Sequence, residues 1–504
     1  MISLDGNSLT LDQLVAIAHE HAPVAISAAA RSRVLASRAV VDECADHETP
    51  TYGINTGFGS FADVKIPHEQ LSQLQINLLR SHAAGVGEPL AVPVVRAAMA
   101  LRANVLAKGY SGIRPGTLDL LVELLNKRIH PLVPSRGSVG ASGDLAPLAH
   151  VALVLIGEGR VIDGETAIDG SSALANAGVT PITLGPKEGL ALINGTQPST
   201  ALLGLAVAAA QRLARAADIT AALSIDGLQG STKPFDPRIH AARGFPAQST
   251  AAANLRLLLE ESGINAAHAN CGRVQDAYSM RCAPQVHGAA RSACHFAHEV
   301  FAAEANAATD NPMVFADTRE IVSGGNFHGA PVSVACDLLC IGIAQLATIS
   351  ERRSDRLVNP ASSGLPAFLT RHGGLHSGLM MAQVTAAALT SELKTLAHPA
   401  SVDTIPTSGN KEDHVSMSMG AALKAARAVE LATRVLAIEL LCACQAIDLL
   451  KPLSTSPPLA RVHDFVRTRV PMLDDDRPPS TDIDTITSMI DGGELERACT
   501  VKVN

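Results

Sequence analysis

Apolar residues recur at helical spacing along most of this chain, and its chemistry gathers where that spacing breaks. Thr10-Leu11-Asp12-Gln13 has the form of a capping box and predicts a helix through residue 19. Helices are expected over 26–44, 70–79 and 94–106. From Thr196 onward the pattern is helical almost throughout. Residues 201–228 and 282–306 are long Ala-rich segments, and 332–350 carries a single charge, Asp337, which predicts burial on all sides. The longest helix is expected over 414–450. There Lys424, Arg427, Glu430 and Arg434 share one stripe that suits a solvated or interface face. The stretch from Pro471 reads as a surface segment. The expected fold is mainly α: an elongated bundle of long helices (196–504) and an N-terminal part (1–195) carrying irregular loops and, within 161–188, a small surface β hairpin.

Composition sharpens this. Aromatics are 3% of 504 residues and Trp is absent, so the core must be built from Ala, Leu, Val and Ile, which favours closely packed helices. A net charge of -8 with no basic block excludes nucleic acid as an expected partner. Nine scattered cysteines do not form a disulfide framework. No basic region followed by an apolar run opens the chain, and no uninterrupted apolar run approaches the ~18 residues of a membrane span. A cytoplasmic protein with no membrane partner is the expectation.

The breaks hold the candidate chemistry. In Gly137-Ser138-Val139-Gly140-Ala141-Ser142-Gly143-Asp144, the Gly143 nitrogen has the Ala141 carbonyl two residues back. Attack there would close a five-membered ring, and loss of water and of the Ser142 hydroxyl would leave an electrophile made from the chain itself. A tight Gly/Ser turn before a helix is the alternative. Tyr52, in the glycine loop Tyr52-Gly53-Ile54-Asn55-Thr56-Gly57-Phe58-Gly59, is the candidate base or an anchor of that turn. His82 ends a helix, where a cap is the usual role. Asn194 precedes the Thr196 helix as a turn or N-cap residue. Gln275, Tyr278 and Arg281 are spaced by three, so one helical face can carry all of them. A fixed Arg suits a carboxylate, and a solvated turn is the alternative. Glu412 stands in the expected first turn of the longest helix, where acidic residues complement the dipole.

Other patterns lose. The 57–62 glycine repeat lacks a preceding strand for a dinucleotide fold. His19-Glu20-His21 lacks zinc-helix spacing, and no metal site is expected. Ser142 lacks a nucleophile elbow. Cys336, Cys340, Cys442 and Cys444 lie on apolar helices as core residues.

Ala141-Ser142-Gly143-Asp144, inside GSVGASGDLAPLAH, resembles the self-processing signature of the aromatic amino-acid ammonia-lyase family. Further motifs follow in the family's order from Tyr52 to Met417, among them YGINTGFG, VQDAYSMRC, Thr309-Asp310-Asn311-Pro312 and GGNFHG, with histidine-specific members the nearest. The resemblance implies that Ala141, Ser142 and Gly143 become the MIO (4-methylidene-imidazol-5-one) group, with no external cofactor. It implies Tyr52 as proton acceptor, with Tyr278 supporting the ring and acting in proton handling. Arg281 would hold the α-carboxylate, Asn194 the amine, and His82 and Glu412 the imidazole. Gln275 and Phe327 complete the substrate site, Phe327 as a wall. It further implies conversion of L-histidine to trans-urocanate and ammonia in a homotetramer whose sites are shared between chains. Lys411, where the family pattern has Gln, together with Ala283 and Ser363-Gly364-Leu365, keeps open a tyrosine or broad aromatic lyase, or an aminomutase. A helical scaffold without the ring is the reading from a different class.

Overall fold

A computed structural model describes residues 1–47, 49–269 and 271–504. Helices make up 60% of it and strands 7%, which bears out the mainly α expectation. The described residues divide into two compact units. One comprises Met1–Ala208, His298–Asp337 and Pro399–Leu423; the other comprises Ala209–Ala297, Leu338–His398 and Lys424–Asn504. Four of the five divisions fall inside the long helices Gln197–Gly227, Ala283–Glu304, Ala330–Val358 and Ser418–Leu449.

The first unit holds all the named strands and the loops of Tyr52 and Ser142. Helix Leu11–His19 begins at Thr10 with both halves of the capping box formed. The next helix starts at Ala28, capped by Ser27, because Val24–Ile26 instead pairs in parallel with Ile2–Leu4. Leu71–His82 and Val92–Ala107 lie where periodicity put them, the latter burying five alanines. The hairpin is Arg160–Asp163 against Thr166–Asp169, turning at Gly164 with φ 61°. The polar stretch after it is no surface segment at its end. Lys187 and Glu188 are fully buried, because Glu188 accepts from Thr117 Oγ1 at 2.6 Å and Arg114 Nε at 2.7 Å, and Lys187 pairs with Asp310 at 3.3 Å. A core cluster of Val40, Val41, Leu71 and Val314 takes in Ile54, which anchors the Tyr52 loop.

The second unit is helical. Its centre carries buried charge: Asp218 accepts from His287 Nδ1 at 2.6 Å and Asn254 at 2.7 Å, and Arg353 forks onto Glu439 at 2.5 and 2.9 Å. Each charge is paired, which is what makes its burial tolerable. Cys340, Cys442 and Cys444 are buried, as is Cys336 in the first unit, and burial pushes the Cys444 thiol up to about 12. The C-terminal stretch departs from expectation. Helices Pro479–Asp491 and Glu494–Cys499 bury Ile486, Met489, Leu495 and Cys499, an apolar spacing that the Asp and Pro clusters obscure.

Two further expectations are corrected. Helix Ala330–Val358 is long and apolar enough by composition to span a membrane, and 67% of that window is buried. It is not buried all round, however: Val334, Leu338 and Ile341 form a stripe 38–49% exposed. The longest helix is Ser418–Leu449 and excludes Glu412. Positive φ at Ser408, Gly409, Asn410 and Met417 breaks the helical path before it.

Candidate active site

Residues 137–144 are gripped from all sides. Ser138 Oγ donates to Asp144 Oδ1 at 2.6 Å and accepts from Gly140 N at 3.0 Å. The other Asp144 oxygen accepts from Ser199 N at 2.8 Å, and Asp144 N donates to Gly195 O at 2.8 Å. Asp144 is fully buried, and desolvation raises its pKa. Gly140 O accepts from Ser416 Oγ at 2.8 Å and Gly329 N at 3.2 Å; Met417 N donates to Val139 O at 2.7 Å. Only glycine fits at two points. A Cβ on Gly143 (φ 70°) would sit 2.3 Å from the Gly195 backbone, and one on Gly140 (φ 67°) 2.2 Å from Ser418 Oγ. Among the described residues, Ala141 O, Ser142 N and Gly143 N have no hydrogen-bond partner.

These grips also bring positive helix ends to the loop. Leu145–Leu155 begins at Asp144. Gly195 and Ser199 flank the start of Gln197–Gly227, Gly329 precedes Ala330–Val358, and Ser418 opens the longest helix. Partial positive charge from each favours electron withdrawal from whatever the loop carries.

Ser142 faces a cavity of about 390 Å³ in the first unit, lined also by Tyr52, His82, Asn194, Phe327 and Glu412. Ser142 Oγ donates to Glu412 Oε1 at 2.8 Å, and the other Glu412 oxygen is held by Thr407 Oγ1 at 2.5 Å and Ser408 Oγ at 2.9 Å. His82 Nδ1 stands 2.9 Å from Leu78 O, so that nitrogen carries the proton and Nε2 is left as an acceptor. Burial lowers the His82 pKa, against the Leu78 carbonyl and the Glu412 charge, which favours the neutral ring at pH 7. Asn194 Nδ2 donates to Asn311 O at 2.8 Å, and its Oδ1 is buried without a partner, an acceptor in want of a donor. Tyr52 packs edge-on against Phe58, ring centres 6.4 Å apart, and its hydroxyl lies 3.5 Å from Gly59 N. Seven predicted site residues, two of the three ring-forming ones among them, thus line one cavity; Gly143 lies behind the wall, on Gly195.

Gln275, Tyr278 and Arg281 are not among the lining residues and belong to the second unit. They do not share a helical face either. The helix is only Tyr278–Arg281, and Gln275 precedes it in irregular, exposed backbone. Tyr278 is 70% exposed, and the Arg281 guanidinium lies 4.6 Å over its ring with Nε buried and unpartnered.

Residues 9–468 match the family model for aromatic amino acid lyases. The chain belongs to that family. It is 55% identical to a histidine ammonia-lyase of Anaeromyxobacter sp. (strain K) over 98% of this chain and 99% of that one. Among solved structures, histidine ammonia-lyase from Trypanosoma cruzi aligns with TM-score 0.92 and 46% identity over 99% of this chain and 94% of that one. Tyrosine aminomutase from Streptomyces globisporus aligns with TM-score 0.95 and 37% identity over the whole of both chains.

Sequence reasoning missed what braces the site of this lyase. Arg102 is fully buried; it donates to Ala191 O and Asn194 O, each at 3.0 Å, and to Gln197 Oε1 at 2.9 Å, fixing the turn that presents Asn194. Desolvation pulls its pKa down to about 10, so it stays charged at pH 7. Two arginines, Arg96 and Arg102, inside the mainly apolar Val92–Ala107 helix were the available signal. The His328 and His414 rings, stacked 5.8 Å apart, also line the cavity; nothing in their spacing announced the pair.

Proposed function

We propose that this lyase converts L-histidine to trans-urocanate and ammonia, using an MIO electrophile formed from Ala141, Ser142 and Gly143. The loop suits that group: the peptide atoms that would form the ring are unpaired, the flanks are pinned, and Gly143 has no room for a side chain. The ring supplies an electrophilic methylidene that turns the substrate's amine into a leaving group. The chain's own residues do the rest. Tyr52, across the same cavity, takes the β-proton. Asn194 Oδ1 accepts from the substrate amine. His82 and Glu412 read the imidazole, and Phe327 walls the ring.

The observation that carries the substrate assignment is the pairing of a neutral His82, with Nε2 free to accept, and an anchored Glu412 in the cavity of Ser142. Both groups accept, so they suit a ring that donates, as an imidazole N–H does and a phenyl ring does not. The names carried by relatives at about 50–55% identity support the same substrate. Lys411 in the cavity wall, and the likeness to tyrosine aminomutase, favour a second reading in which the pocket takes tyrosine or phenylalanine. Ultraviolet absorbance separates them. Product growth from L-histidine alone, lost in Ser142→Ala, supports the first; growth from L-tyrosine or L-phenylalanine supports the second.

Arg281 and Tyr278 complete the site from another subunit of a homotetramer. Their exposure supports this, as does the apolar stripe Val334, Leu338 and Ile341, a surface a second copy would cover. Cytoplasmic residence is supported by nine cysteines of which none is in a disulfide.

A further inference from the structure

Among the described residues, Ala141 O, Ser142 N and Gly143 N are unpaired, while Gly140 and Asp144 on either side are engaged through both N–H and carbonyl. Two serines make the engagements that bear most directly on the ring. Ser138 Oγ links the loop's two ends, accepting from Gly140 N at 3.0 Å and donating to Asp144 Oδ1 at 2.6 Å; it also lies 3.5 Å from Gly143 O. It shortens the path between residues 140 and 144 by side chain rather than backbone. Ser416 Oγ holds Gly140 O at 2.8 Å, from a loop well separated in sequence. Neither hydroxyl is among the residues lining the cavity.

We infer that Ser138 and Ser416 are positioning residues for formation of the electrophile, acting before any substrate binds and not during turnover. This rests on the MIO reading above. Ring closure forms a bond from Gly143 N to the Ala141 carbonyl carbon. The Ala141 oxygen leaves as water, taking the protons of Gly143 N and Ser142 N. The Ser142 hydroxyl leaves as a second water with the Ser142 α-proton. No oxidant or co-reactant is required. What closure does require is a chain already bent, since the free loop would spend most of its time with these atoms apart. The Ser138 bridge and the Ser416 tie hold residues 140 and 144 still and leave Ala141, Ser142 and Gly143 free to react.

Intact-mass measurement on freshly translated full-length chain, followed over time, reads this directly as the fraction lighter by two waters. Turnover per ring-bearing chain is measured alongside. Ser138→Ala is expected to slow ring formation about tenfold, the rate equivalent of about 1.4 kcal/mol, with turnover per ring-bearing chain close to the unmodified protein. Ser138→Thr, which keeps a hydroxyl, is expected to restore the rate. Ser416→Ala is the independent second variant, and slowed closure there supports the inference even if Ser138→Ala fails to fold. Unchanged closure rates in the folded alanine variants would overturn it, as would normal closure with reduced turnover per ring. An unmodified protein that never loses two waters would instead sink the MIO reading itself.

Discussion

Residues 137–144 are an irregular stretch that leads into a helix, residues 271–281 an irregular stretch with the one-turn helix Tyr278–Arg281 at its end, and they are held in opposite ways. The first is tied by Ser138, Ser199, Ser416, Gly195 and Gly329, with its one charge, Asp144, buried and satisfied. The second is tethered mainly through Asp276, which accepts from Ser231 N at 2.7 Å and from Arg273 at 3.0 Å, and through Ser279 O, which accepts from Arg353. Val274 and Tyr278 stand in the open, and a buried Arg281 nitrogen goes unpaired. The first stretch is thus pinned at its flanks within its own chain, with only the peptide atoms of its central residues left unpaired among the described residues. The second leaves the Arg281 Nε unpartnered and the Tyr278 ring open to solvent beyond its Arg281 contact, which is where the proposed homotetramer would bring another subunit.

The largest expected effect removes the reactive part of the pinned loop. Ser142→Ala should lower turnover by about a thousandfold or more, because the proposed electrophile would carry the hard step. Full activity in that variant, measured by product absorbance, would return the loop to an ordinary Gly/Ser turn. The next test strikes at the contrast itself. Ser142→Ala and Tyr278→Phe should each be nearly inactive alone. Co-expressed, they should recover roughly a quarter of full activity, the chance that two independently drawn chains each bring the intact element. No recovery would mean that Tyr278 does not serve a neighbour's cavity.

A smaller effect is expected where the cavity reads its substrate. His82→Leu removes the acceptor and should lower kcat/KM for L-histidine by about 100-fold, while improving the ratio for L-phenylalanine. Because burial lowers the His82 pKa, the neutral, accepting ring persists somewhat below the usual imidazole range, and the acid limb of kcat/KM should include its protonation. Equal losses for both substrates would place His82 in the scaffold.

Legibility follows the same division. Long helices were readable because Ala and Leu recur at helical spacing, and the loops because Gly and Pro interrupt it. In the pinned loop, local spacing allowed either a ring or a plain turn, and the family resemblance singled out Ala141, Ser142 and Gly143; its braces were not legible, since Ser138, Ser199 and Ser416 look like any serine until the fold brings them together. Gln275 was put on a helical face by its spacing from Tyr278, yet spacing does not start a helix, and the backbone turns helical only at Tyr278. The 332–350 segment was read as buried all round because apolar composition does not say which molecule covers a face.

The smallest effect tests the footing of the pinned loop. His130 lies in the strand His130–Pro131, which pairs with Arg160–Asp163 seven residues before Gly137, and its Nε2 lies 3.2 Å from the buried Arg96. That guanidinium only donates, so Nε2 must be the unprotonated nitrogen. Desolvation first, then the charge of Arg96, push the His130 pKa down to about 4. The unfolded chain takes up a proton near pH 6.5, whereas the folded chain resists until about 4. Stability from this site is therefore present above pH 6.5 and drains away as pH falls toward 4, where the slope ends. His130→Asn should flatten the decline in unfolding free energy between pH 7 and 4.5 by on the order of 1 kcal/mol, given that the ring is partly open to solvent. Denaturant midpoints at the two pH values measure it. An unchanged slope would mean that the footing is set by the Arg96 bonds to Ile17 O and Leu125 O, at 2.8 and 2.9 Å, with His130 a bystander.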